Sequence, residues 1–130
     1  MREKALKLLG LMRRANAIQV GEEKTGSAVK AGKAKLLLLA ADASDNARRR
    51  AELFITGRNV QLVPLPFDKA ELSQHLGVNG CSMAAITDLG FANAFAKLLL
   101  GIESDVYGDM AERLEKRFDK AERRKKSKKV

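Results

Sequence analysis

Three stretches gather the residue types that hold anions: Arg13-Arg14-Ala15-Asn16, then Ile18-Gln19-Val20-Gly21-Glu22-Glu23-Lys24-Thr25, then Lys30 with Gly32-Lys33-Ala34-Lys35. If Gly21 ends a strand and a helix begins after it, the free amides of that helix's first turn face outward at the strand's carboxyl end. A phosphate can sit there. Arg13, Arg14, Lys24, Lys30 and Lys33 supply the surrounding positive charge. Glu22 and Glu23 do not suit a purely electrostatic grip, because carboxylates repel a phosphate backbone. On the residues alone, two uses stay open. A carboxylate can accept from the amino or imino hydrogens of a base such as guanine while Lys24 donates to guanine O6 or N7. Alternatively, first-turn glutamates only complement the helix dipole, by about 0.3–1 kcal/mol.

Other chemistries are poorly served. Five residues separate Gly26 from Gly32 where a phosphate loop needs four, and Ala34 stands where that loop needs Ser or Thr for magnesium. No G-x-G-x-x-G follows an apolar strand, and the single His75 and single Cys81 cannot make a metal site. A Cys81–His75 nucleophile pair lacks a third, orienting group, and His75 suits the end of a helix by its partial positive charge. Asp42, Ser44 and Asp88 stand where helix caps belong, so their carboxylates and hydroxyl have structural work to do. The expectation is a non-enzymatic chain with no catalytic residue, no metal and no cofactor.

Alternating helix and strand patterns must position these groups. Ala5, Leu8, Leu9 and Met12 follow the spacing of an amphipathic helix. Residues 18–20 form a short apolar strand ended by Gly21, and residues 22–31 read as a helix stopped by Gly32. Leu36 to Ala40 is continuously apolar, which predicts a strand buried on both faces at the sheet centre. A helix capped by Asp42 or Ser44 then runs through Ala47, Ala51 and Phe54 to Gly57, followed by a strand over 60–63 that Pro64 and Pro66 close. Asp68 with Glu71 resembles a capping box and opens a helix through Leu72 and Leu76 to Gly77. The last strand covers 83–87, and Asp88 precedes a helix carrying Phe91, Phe95, Leu98 and Leu99 that ends at Gly101. Such alternation implies parallel strands with right-handed crossovers. The fold class is therefore α/β, a three-layer α/β/α sandwich on a small, mostly parallel or mixed four-stranded sheet.

The chain of 130 residues suits one core, 1–101, followed by a basic helix or tail, 102–130. In the latter, Met110, Leu114, Phe118 and Ala121 predict a marginal amphipathic helix before the basic run 123–129. Net charge is +9 overall. Residues 1–35 hold nine basic and three acidic side chains, residues 36–110 six and nine, and residues 111–130 ten and four. Two basic ends around a mildly acidic middle suit a polyanion, and nucleic acid is the commonest one in the cytoplasm. No apolar run approaches the ~20 residues of a membrane span, and the early charges Arg2, Glu3, Lys4 and Lys7 break any signal-peptide core. With one cysteine and no intramolecular disulfide, the expected location is the cytoplasm.

Several segments together resemble a known family. They are residues 9–15 (Leu-Gly-Leu-Met-Arg-Arg-Ala), Val20-Gly21-Glu22-Glu23, residues 28–40 with their Gly-Lys-Ala-Lys step into the apolar strand, Asp42-Ala43-Ser44, Leu72 with Gly77, and Ala85-Ile86-Thr87-Asp88. This pattern is similar to that of the kink-turn-binding ribosomal proteins, in their bacterial YlxQ-like branch, over roughly residues 3–100. The resemblance implies an α/β/α sandwich, no enzymatic activity and recognition of structured RNA, kink-turn or ribosomal. It further implies a monomer associated with ribosomes rather than membranes. Carried over by position, the turn and helix start comprise Gly21, Glu22, Glu23, Lys24 and Ser27. The loop expected over the flipped-out nucleotide comprises Val78, Asn79, Gly80, Cys81 and Ser82. The best-characterised binders have Asn then Glu where this chain has Glu23 and Lys24, Lys at Ser27 and Glu at Ala41. The YlxQ-like branch shares the Gly-Glu-Glu variant. The competing readings are a protein-interaction module on the same sandwich and, more remotely, a hydrolase or transferase with a deep pocket.

Overall fold

Up to α5, each expected element forms close to its predicted bounds in the computed structural model, which describes residues 1–128. The expected basic run's last residue, 129, lies outside the described residues. The chain order is α1 (Arg2–Arg14), β1 (Ile18–Val20), α2 (Glu22–Lys30), β2 (Leu36–Leu39), α3 (Asp45–Ile55), β3 (Gln61–Pro64), α4 (Lys69–Leu76), β4 (Met83–Ile86), α5 (Leu89–Ile102) and α6 (Ser104–Lys128). The caps are set by short polar side chains, as the sequence implies. Ser44 Oγ accepts from the Ala47 amide at 3.1 Å, Asp68 and Glu71 make a reciprocal capping box, and Asp88 accepts from the Phe91 amide at 2.8 Å. Asp42, the other candidate for the α3 cap, instead accepts from the Lys69 amide at 2.8 Å and pins the start of α4.

The strand order is β1-β4-β2-β3. Of the two sheets the sequence allows, the mixed one forms: β2 and β3 pair in parallel, while β4 runs antiparallel to both β1 and β2. The reason lies in α4. The chain leaves β3 at the sheet end where the Ala41 amide donates to Phe67 O, and it returns through Ser82 O, which accepts from the Ala40 amide at that same end. α4 is entered and left at this same end, so it does not carry the chain back along the sheet. A strand begun there must run the other way. Periodicity reports that a helix lies between two strands but not where its axis points.

β2 is buried on both faces, which accounts for its unbroken leucines. Leu36 and Leu38 join the core under α1, α4, α5 and α6, and Leu37 and Leu39 join the smaller core under α2 and α3. The sandwich is thus three layers deep, as expected.

Two departures concern the carboxyl-terminal third. Gly101 does not stop α5, which continues to Ile102, and the marginal helix expected over 110–121 is the middle of a 25-residue helix. The first half of α6 is core: Tyr107, Met110, Ala111 and Leu114 are buried against the larger cluster. Tyr107 donates its hydroxyl proton to Pro64 O at 2.6 Å, the Gln61 amide nitrogen reaches Met110 O at 3.5 Å, and Arg117 donates to Asn59 O at 3.4 Å. These three bonds, in reverse chain order, lay α6 antiparallel along β3. Tertiary burial therefore supplies what local propensity lacked. Replacing Leu114, which has no exposed surface, with Ala should lower stability by about 2–4 kcal/mol in urea unfolding; an unchanged midpoint would mean that α6 is not docked.

Candidate nucleic-acid interface

The antiparallel insertion of β4 brings the two carried-over elements to one end of the sheet. The Gly21 amide donates to Met83 O at 3.0 Å, and the Ala40 amide donates to Ser82 O at 2.8 Å. The turn into α2 and the 78–82 loop therefore flank the same strand start, with Ala41 beside them. Gly21 has φ 101° and ψ 159°, a region essentially reserved for glycine. No heavy atom lies within 4 Å of the Cβ it lacks, so the backbone there is open to an approaching ligand. No side chain caps α2. The first intrahelical bond is from the Thr25 amide to Gly21 O, which leaves the amides of Glu22, Glu23 and Lys24 without intrahelical partners.

The two glutamates differ in their engagement. Glu22 accepts from Arg50 of α3 at 2.6 Å, with both side chains well exposed, so the bond stabilises little but leaves Glu22 less free. Glu23 makes no ion pair among the described residues and is exposed together with Lys24 and Ser27. Between α2 and α3, a groove of about 490 Å³ is bordered by Glu22, Glu23, Ser27, Lys30, Arg50 and Phe54. On its other side, a groove of about 570 Å³ carries Gln19, Glu23, Lys24, Ser27, Lys33 and Thr87. Sequence reasoning passed over Arg50, although the run Arg48-Arg49-Arg50 on an expected helix was a usable signal.

The loop side is less uniform. Asn79 and Gly80 are exposed, Gly80 with φ 66°, while Val78 and Ser82 are half-buried. Cys81 is buried: its amide donates to Ser73 Oγ at 3.2 Å and its thiol to Met83 O at 3.5 Å. Burial raises the thiol's pKa, an effect partly countered by the bond to Met83 and by the charge of nearby Arg13. Cys81 thus anchors the loop and offers no thiolate for chemistry. Arg14 Nη1 reaches back toward Gly10, whose missing Cβ would lie 3.9 Å from it. His75 stands in the last turn of α4, its Nδ1 3.0 Å from Glu71 O.

Lys30 and Lys33 stand at the far end of α2 from this corner, where each still lines a groove that Glu23 also borders. α2 is nine residues long, so its carboxyl end lies about 12 Å away. There the Lys35 amide donates to Ile86 O and the Thr87 amide to Ala17 O, marking the opposite end of the sheet. Among the described residues, no group of three metal-ligating side chains is assembled, and no helix is long and apolar enough to cross a membrane.

Fold and corner together define a class: an α/β/α sandwich that presents uncapped backbone donors and a glycine-containing loop at one end of its sheet. Residues 3–96 match the Ribosomal protein L7Ae/L30e/S12e/Gadd45 family, and the chain belongs to that family. It is 34% identical over 100 residues to the RNA-binding protein YlxQ of Enterococcus faecium, covering 77% of this chain and 95% of that one. To the RNA-binding protein YlxQ of Bacillus subtilis (strain 168) it is 33% identical over 96 residues, covering 71% and 91%. A solved Bacillus halodurans C protein of unknown function superposes with TM-score 0.67 at 26% identity, covering 73% of this chain and 95% of that one. The Giardia lamblia 15.5kD RNA binding protein shares the fold at TM-score 0.59 and 24% identity, covering 76% and 84%. The family and these YlxQ relatives are RNA binders without enzymatic activity, and the chain is a non-enzymatic member.

The torsion at Gly21 gives a direct check. Gly21→Ala should cost about 1–3 kcal/mol by forcing a side-chain-bearing residue to the same φ, read as a lowered unfolding midpoint. A variant as stable as the parent would show that this turn is not held as described.

Proposed function

We propose that this chain binds structured RNA of the kink-turn kind, ribosomal RNA among its candidates, through the Gly21 turn and the 78–82 loop. The observation that carries the reading is their meeting at one strand end, where a bent strand can touch both. Free amides at the start of α2 face a phosphate or a base edge. Glu23, exposed and unpaired among the described residues, is the carboxylate suited to accept from guanine, and Lys24 next to it can reach both guanine O6 or N7 and the adjoining phosphate. Glu22 acts at one remove, since Arg50 holds it. The loop covers with Asn79 and Gly80 while buried Cys81 fixes its base.

Two measurements test this. A kink-turn RNA should bind more tightly than a twin with its tandem G·A pairs disrupted, and Glu23→Ala should erase about 1–3 kcal/mol of that preference. Lys24→Ala should reduce the slope of log affinity against log salt by about one, as expected when one phosphate is no longer neutralised. Equal affinity of the parent for both RNAs would defeat the kink-turn reading, and an unaltered slope would show that Lys24 does not touch the backbone.

A further inference from the structure

The family match ends at residue 96, and α6, which lies beyond it, ends in the chain's densest run of basic residues. Past Leu114, α6 leaves the core. Lys116, Lys120, Arg123, Arg124, Lys125 and Lys126 are all exposed. Its exit is fixed by two contacts: Arg117 donates to Asn59 O at 3.4 Å just before β3, and Phe118 lies against Gly90 at the start of α5. Both mark the sheet end that carries Lys33 and Lys35, opposite the Gly21 corner. From Arg117 to Lys126 the helix advances a further ~14 Å beyond that end.

Few of these charges are neutralised locally. Glu112 pairs with Lys116 at 3.3 Å and Glu122 with Lys125 at 3.7 Å, while Asp88 is taken up by its cap on α5. Asp119 also lies on the arm. Lys120, Arg123, Arg124 and Lys126 form no ion pair among the described residues. Lys116, Lys120, Arg123 and Arg124 recur at the spacing of one helix face. That face offers charge and nothing to stack on: the chain has no Trp, Tyr107 is buried and Phe118 half-buried. Single-stranded RNA is held largely by base stacking on aromatic rings. The arm also lacks the broad apolar face of a membrane-surface helix. A duplex, met through its phosphates alone, fits what is there.

We propose that the free half of α6, with Lys33 and Lys35, forms a second phosphate-binding surface that grips an RNA stem extending from the Gly21 corner. This rests on the RNA reading above but concerns a different end of the molecule. A kink-turn RNA with short stems and one with a stem lengthened by about ten base pairs, each with a G·A-disrupted twin, are titrated against the full chain at several salt concentrations.

The parent should bind the long-stem RNA at least tenfold more tightly than the short-stem one. The combined variant Arg123→Ala, Arg124→Ala, Lys125→Ala and Lys126→Ala should lose that gain. Its salt slope on the long-stem RNA should flatten by about two to four, at roughly 0.9 per duplex phosphate neutralised. The ratio of intact to G·A-disrupted RNA should stay at the parent's value, because that ratio reports the other corner. Lys33→Ala with Lys35→Ala should remove part of the same gain without touching the arm. A stem gain absent in the parent, or preserved in both variants, overturns the proposal, as does an equal flattening on short-stem RNA. A G·A ratio of one alongside a normal stem gain would instead overturn the kink-turn reading and leave the second surface standing.

Discussion

The hydrogen-bonded ladders on both sides of β4 are the constraint on which the molecule's use depends. Because β4 runs antiparallel between β1 and β2, its first residues meet the carboxyl ends of both neighbours, through Gly21 to Met83 O and Ala40 to Ser82 O. Two segments some sixty residues apart in the chain thereby share one edge of the sheet. Were β4 parallel, the 78–82 loop would open at the other end, beside Lys33. The two elements of the proposed interface would then lie at opposite ends of the sheet.

Much of the architecture was legible in the sequence because burial writes itself into residue type. Four consecutive leucines could only serve a strand covered on both faces, and Ser44, Asp68 and Asp88 announced their helices through the short polar groups that caps require. The direction of β4 was not legible, since its continuously apolar run Met83–Ile86, buried on both faces, reads the same in either sense. Nor was the docking of α6: its apolar residues are sparse, and only the underside of α5 and the flank of β3 give them something to cover.

At the candidate site, the turn itself was legible through Gly21, but two facts required coordinates. Cys81 sits in the middle of a loop read as contacting RNA, yet its thiol turns inward; the alternation of exposed and buried residues over five positions left no sequence trace. Lys24 and Lys33 look like one tight basic cluster in the chain, and the helix between them spreads them along one groove, from the Gly21 turn toward the opposite end of the sheet.

The path of α6 also decides what the sheet can do to its neighbours. An open sheet invites strand addition wherever a long flank of unpaired amides and carbonyls is left bare. Here one flank is β1, only three residues long, and the other is strapped by α6 through Tyr107, Gln61 and Arg117. Neither side offers a template of useful length. A protein crowded with its own copies along a polyanion is thus shielded from zippering sheet to sheet, and the same helix that extends its reach supplies that protection.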